Sequence, residues 1–142
     1  MKEIKINGNF DINDPLYFNN IINDLSELMD CLYDVTQLNK IDDKTYNITA
    51  KINIGPLSTT YEGTLTFIDR SPNTLVLKIN GKMLLSSVNI LVNMEIKQNI
   101  VTYEIQLNLA GLIEGMSGKT LENFVKTKIN DFVSCISKSN IR

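Results

Sequence analysis

Residues 46–63 read Tyr46-Asn-Ile-Thr-Ala-Lys-Ile-Asn-Ile-Gly55-Pro56-Leu57-Ser-Thr-Thr-Tyr61-Glu-Gly63. Tyr46, Ile48, Ala50, Ile52 and Ile54 are apolar at every second position, with Asn47, Thr49, Lys51 and Asn53 between them. Successive side chains of a strand point to opposite faces, so this stretch predicts a strand with one buried and one wet face. Gly55-Pro56 makes a turn, and Leu57, Thr59, Tyr61, Gly63, Leu65 and Phe67 carry the alternation onward. A hairpin of this kind implies an antiparallel sheet with solvent on one side.

The same pattern extends outward from the hairpin. Ser71-Pro72-Asn73 turns the chain into Leu75, Leu77, Ile79, Gly81 and Met83, and Val88, Ile90, Val92, Met94 and Ile96 follow. A tight Lys97-Gln98-Asn99 connection then leads to Val101, Tyr103, Ile105, Leu107 and Leu109. Upstream, Ile4, Ile6, Phe10 and Ile12 mark an opening strand and Asp34–Ile41 a short one, which makes seven strands joined as a meander. Between those two, Asp14-Pro15 starts a short helix with Leu16, Phe18, Ile21 and Ile22 as its stripe, and Ser26–Leu32 reads as a second. Asp14 can accept an early helical N–H, and Pro15 sits where its missing donor is harmless. After the sheet the period becomes helical. Ser117 is a candidate N-cap, and Leu121, Phe124, Val125, Ile129, Phe132, Val133 and Ile136 fall on one broad face of a helix over Ser117–Lys138, roughly 30 Å long. The fold class is therefore α+β, in a single domain over residues 1–142. A strongly curved seven-stranded antiparallel sheet wraps the long C-terminal helix, with two short helices after the first strand.

A chain of 142 residues can bury about 68–70% of its extended surface, so a core needs neither metal nor cross-links. The 14 basic and 16 acidic residues leave a net charge of −2, and histidine is absent. That excludes histidine-based catalysis and histidine metal ligands, and the charge lacks the basic footprint of a nucleic-acid binder. Cys31 and Cys135 are the only thiols. They could meet in space, but the expectation is two buried, reduced thiols without metal. The N-terminal stretch has no apolar block like a signal peptide, and no apolar run approaches a membrane span, so no integral membrane segment and a cytoplasmic location are expected.

Catalytic sets are poor. Ser117 near Lys119 and Ser137 near Lys138 lie at helix ends, where serine caps and lysine is solvated. Asp42-Asp43 lies in a turn, Asp11, Asp14, Asp24 and Asp30 flank helix ends, and Glu62, Glu95 and Glu104 have the parity of the wet face. Gly111 to Thr120 ends in Gly118-Lys119-Thr120, yet the first glycine of a phosphate loop would have to be at Ile113. No motif calls for a cofactor or metal, and an enzyme is not expected. The inward face gathers Ile48, Ile52, Tyr61, Leu65, Leu77, Ile79, Met83, Ile90 and Tyr103 against Leu121, Phe124, Val125 and Ile129. Gly63 and Gly81 remove volume there, so the space is either a filled core or an apolar pocket.

Gly8-Asn-Phe10 opening a strand, Asp14-Pro15 starting a helix, Met29-Asp-Cys31-Leu32, and the strand–Gly55-Pro56–strand stretch with Gly63 resemble the CoxG-like family, named for the G subunit of carbon monoxide dehydrogenase. That family lies in the START/Bet v 1-like (SRPBCC) superfamily, and the resemblance implies its helix-grip fold over residues 4–137. Two departures stand out. Tyr33-Asp34 replaces the family's Pro-Gly, and Met83-Leu-Leu-Ser-Ser87 replaces its glycine-rich middle, with bulk that would narrow the entrance or fill part of the cavity. The resemblance implies binding of a lipophilic molecule such as a quinone or lipid and association with a molybdenum hydroxylase complex, with peripheral membrane contact as a further partner.

The leading expectation is thus a non-enzymatic binding protein with an apolar cavity lined by Ile52, Tyr61, Leu65, Leu77, Ile79, Ile90, Tyr103, Leu121 and Phe124. The alternatives are an assembly factor with a filled core that docks on an oxidoreductase, and, behind it, a cyclase- or hydratase-type enzyme using Tyr61 or Tyr103.

Overall fold

Asp14 and Pro15 start the first helix as their chemistry requires. The Asp14 carboxylate accepts the Leu16 N–H at 3.0 Å, and Pro15 occupies the first turn, where no donor is needed. The computed structural model describes residues 1–23 and 25–140, without the side chains of residues 21, 22, 25–27 and 137–140. Ile21 and Ile22 of the expected stripe, Asp24, Ser26 and the Ser137–Lys138 pair therefore lie outside the described residues.

Strand β1 (Lys2–Asp11) is followed by α1 (Pro15–Asn23), α2 (Leu25–Cys31) and β2 (Val35–Lys40). Then come β3 (Thr45–Ile54), β4 (Leu57–Ser71), β5 (Thr74–Met83), β6 (Ser86–Lys97) and β7 (Ile100–Gly111). A single 3₁₀ turn at Leu112–Gly115 leads into α3 (Gly118–Asn140). The sheet is an antiparallel meander closed by the first strand, in the order β1-β7-β6-β5-β4-β3-β2. This is the helix-grip arrangement: a curved seven-stranded sheet around the long C-terminal helix, with two short helices after the first strand. Ser117 caps α3 by accepting the Thr120 N–H at 3.1 Å, and the helix runs 23 residues, about 34 Å.

The alternation decides which face is wet. One row crosses all the strands in register: Asn39, Asn47, Thr64, Asn80, Asn89, Asn108 and Glu3. No apolar side chain breaks that row, as a band of sheet left to water requires. A register shift between Phe67 and Asp69 ends the alternation of β4 and leaves Ile68 exposed.

The inner face divides along α3 into two clusters. Leu121, Phe124, Val125 and Ile129 cover Ile6, Ala50, Ile54, Tyr61, Met83 and the inner residues of β7. Phe132, Cys135 and Ile136 cover Tyr46, Leu65, Phe67, Leu75, Ile96 and Val101, with Phe18 of α1 set edge-on to Phe10 at 5.9 Å.

The second half corrects the expectation of two free thiols. Cys31, the last residue of α2, is joined to Cys135 of α3 by a disulfide, with Cα atoms 5.5 Å apart. α2 lies against α3, which brings together residues 104 apart in sequence. The cross-link is a product of that docking.

Candidate functional site

The cavity lies under the N-terminal half of α3. Ile48, Ala50, Ile52 and Ile54 of β3 form one wall, and Leu121, Phe124 and Val125 form the roof. Tyr61, Ile79, Met83, Val88, Ile90, Leu107, Leu109 and Ile113 complete it. Its volume is about 180 Å³ and its wall is wholly apolar.

Six of the residues expected to line a cavity meet there: Ile52, Tyr61, Ile79, Ile90, Leu121 and Phe124. Leu65, Leu77 and Tyr103 have the inward parity but lie elsewhere. Leu65 and Leu77 belong to the cluster under Phe132 and Ile136. Tyr103 lies over Gly8, the residue opposite it on β1, with its ring centroid 6.2 Å from that of Phe10. Ala50, Ile54, Val88 and Leu109 share the parity and could have been chosen by it. Ile113 could not, because it sits in the 3₁₀ turn, outside any alternation.

Gly63 and Gly81 act differently from the sequence-based expectation. They face each other across β4 and β5, and the Tyr61 ring lies over both. A Cβ at Gly81 would stand 2.5 Å from the ring, and one at Gly63 2.9 Å from it. The space freed by the glycines therefore holds tyrosine and adds nothing to the void. Reaching past β5, the Tyr61 hydroxyl donates to the Val88 carbonyl of β6 at 2.8 Å. Burial pushes this hydroxyl far above the ordinary tyrosine range, so it stays protonated and engaged within the protein.

The bulk at Met83–Ser87 falls only partly where expected. Met83 lines the cavity, whereas Leu84 and Leu85 stand in solvent. Glu62, Glu95 and Glu104 are exposed, as their parity requires, and Ser117 serves as a helix cap. Among the described residues no three cysteine, aspartate or glutamate side chains gather where they could hold a metal ion. No described helix is long and apolar enough to cross a membrane.

Solved structures share this architecture. A conserved protein from Geobacillus kaustophilus superposes with a TM-score of 0.79 at 18% identity, covering 97% of this chain and 94% of its own. A protein from Thermus thermophilus gives 0.72 at 9% identity, covering 97% and 99%. An aromatase/cyclase from a Streptomyces species gives 0.64 at 6% identity, covering 99% and 96%. At such identities the likeness establishes the fold alone. No curated protein matches the chain. The family model for the G subunit of carbon monoxide dehydrogenase (CoxG) matches residues 8–140, from the glycine beneath Tyr103 to the last residue of α3. On that match, which spans nearly the whole sequence, the chain belongs to the carbon monoxide dehydrogenase CoxG family.

Proposed function

We propose that this chain is a non-enzymatic binding protein that takes the hydrocarbon part of a lipophilic small molecule, such as a quinone or a lipid, between the sheet and α3. The observation that carries the reading is the wholly apolar wall of the cavity. A polar head drawn inside would lose its water and find no partner, a cost of several kcal/mol. Tyr61 gives it no donor, because the hydroxyl proton is already engaged by the Val88 carbonyl. Ile52, Tyr61, Ile79, Ile90, Leu121 and Phe124 are the contact residues in this reading. Leu65, Leu77 and Tyr103 support the surrounding core.

Size narrows the occupant. At about 180 Å³ the space is smaller than the roughly 300 Å³ at which drug-sized pockets begin. It is close to an apolar cavity of about 150 Å³ that stays dry and accepts benzene. One ring or a short run of chain fills it, and a larger ligand requires α3 to move. Burial contributes on the order of 25 cal/mol per Å² of apolar surface, before association costs.

Titrating a fluorescent lipophile and a quinone analogue into the protein tests the reading. Wild type should bind with little dependence on salt, and Ile79→Trp should weaken binding about tenfold or more while the protein stays folded, because a void absorbs volume that a filled core cannot. Wild type that binds neither probe, together with an unfolded tryptophan variant, would show a filled core. The family's description favours a second reading, docking on a carbon monoxide dehydrogenase-type oxidoreductase. Native mass spectrometry separates the two: a stoichiometric lipophilic adduct supports the first, and a clean mass with co-purifying oxidoreductase chains supports the second.

A further inference from the structure

Strands β1 and β2 stand at opposite ends of the strand order, and α1 and α2 run in the chain between them. This segment is tied down at both ends. At its start the Ile12 N–H donates to the Asn99 carbonyl at 2.8 Å, and Phe18 is buried in the cluster beneath Phe132 and Ile136. At its end the Asp34 carbonyl accepts the Lys51 N–H at 2.8 Å, and the Asp34 carboxylate pairs with Lys128 of α3. Between those ties lies α2. Of its described side chains only Cys31 is buried, and Cys31 is the residue bonded to Cys135. Among the described residues, the anchor of α2 on α3 is this disulfide.

The two sulfurs differ in access. Cys31 is 3% exposed, whereas Cys135 is only half-buried, so the thiolate of a reductant reaches Cys135 first. As it bonds to the Cys135 sulfur, the bond to Cys31 breaks, and Cys31 leaves with the electron pair and takes up a proton. The second thiol of a dithiol then attacks the mixed disulfide and closes its own ring, and Cys135 leaves as a thiolate that is protonated in turn. The dithiol is oxidised, and two electrons and two protons pass to the protein. The reduced form has a place for the new thiol proton. The Asp30 carbonyl stands 3.8 Å from the Cys135 sulfur, within reach of a thiol, which is a weak donor. Reduction therefore exchanges a covalent anchor for a weak contact.

The anchor closes off the continuation of the cavity. Ile79 lines the cavity and also packs against the cluster beneath Phe132 and Ile136. Leu77, two residues away on the same face of β5, belongs to that cluster. One apolar trough thus follows α3, open beneath Leu121 and filled beneath Cys135, and Ile12, Phe18 and Cys31 are part of the filling. With the disulfide formed, the protein admits what fits about 180 Å³. With α2 loosened, α3 is free to shift at its Cys135 end and the filled part of the trough can part.

We propose that Cys31–Cys135 is a redox latch on the α1–α2 strap. Reduction by a dithiol lets α2 leave α3 and admits a ligand longer than the void, which passes Ile79 into the trough beneath Phe132. The proposal rests on the lipophile-binding reading and adds its control: the oxidised protein takes a ring or a short chain, and the reduced protein takes a long one. A cross-link with a structural role alone would change stability and leave this selection untouched.

The test uses the full chain, oxidised or reduced with dithiothreitol. Toluene is the probe that fits the void, and dansyl hexadecylamine is the probe that exceeds it. Reduction should leave toluene affinity within about twofold and tighten dansyl hexadecylamine about tenfold or more, reversibly on reoxidation. Cys31→Ala with Cys135→Ala should bind the long probe tightly with or without reductant. Oxidised wild type in urea that matches the variant's loss of stability should not, which separates release of the strap from general weakening. By hydrogen exchange, the amides of α2 should lose protection on reduction while those of β5 and β6 remain protected. The proposal is overturned if α2 in the reduced protein stays as protected as β5, or if toluene binds and the long probe is indifferent to reduction. Failure of both probes to bind in either state would overturn the cavity reading and the latch with it, a pattern distinct from the first two.

Discussion

Breaking the bond between α2 and α3 should weaken the protein about as much as truncating a large core side chain. Residues 31 and 135 close a loop across a separation of 104, and loop-closure entropy assigns a cross-link of that span about 4.7 kcal/mol, taken from the unfolded state. Domains of this kind have roughly 5–15 kcal/mol in total, so the link accounts for a large share. The clean perturbation is the double variant Cys31→Ala with Cys135→Ala. Serine would be a poor choice at position 31, which is only 3% exposed, because it would bury a hydroxyl. Urea unfolding followed by circular dichroism should show a loss of about 3–5 kcal/mol in the double variant and in wild type treated with a dithiol reductant. The slope against urea should steepen as well, because an unlinked unfolded chain exposes more surface. Two alkylated thiols in wild type prepared without reductant would refute the reasoning. So would a double variant within about 0.5 kcal/mol of wild type.

Two further outcomes follow from Tyr61 and its glycines. The folded state holds the Tyr61 proton more tightly than the unfolded state does, because burial raises its pKa. Its contribution is therefore complete below about pH 10 and is lost as pH rises beyond that. Urea midpoints measured across alkaline pH should fall less steeply for Tyr61→Phe than for wild type, and parallel slopes would remove Tyr61 as the cause. Gly81→Ala should destabilise by about 1–3 kcal/mol, since the added carbon would stand 2.5 Å from both the Glu62 carbonyl and the Tyr61 ring. Thermal or urea unfolding that leaves this variant unchanged would mean the ring is free to move aside.

Most of the architecture is legible because it rests on period. Alternation from Tyr46 to Leu109 assigns each strand a face, and the change of period at Leu121 marks the helix that covers it. Parity does not say where along a strand a residue stands. Ile79 lines the cavity and Leu77 belongs to the other cluster, two residues apart on the same face of β5. The path of α3 across the curved sheet separates them, and no local pattern encodes that path. The disulfide was hidden for a related reason: its cysteines meet only once α2 has docked on α3. The role of Gly63 and Gly81 depended on one rotamer, that of Tyr61. Leu84 and Leu85 read as filling the entrance until the turn directed both outward.

The disulfide has a mechanical consequence for the cavity. It fixes α3 at Cys135, while the cavity lies beneath Leu121, Phe124 and Val125. Leu121 is fourteen residues from that anchor, about 21 Å along the helix axis. At its other end the backbone ties α3 to β7 through the 3₁₀ turn at Leu112–Gly115, where Ile113 is buried. Between these two ties the helix is held by packing and by an ion pair between Lys128 and Asp34 at 2.6 Å. α3 is thus tied to the rest of the fold at both ends of its cavity-facing length, by the chain near Gly118 and by the cross-link at Cys135. The β3–β6 floor is braced by the strut from Tyr61 to Val88, so the cavity lies between a strutted floor and a roof anchored at both ends. The void is therefore a feature of a frame closed on itself, and the residues around it change position only against those ties.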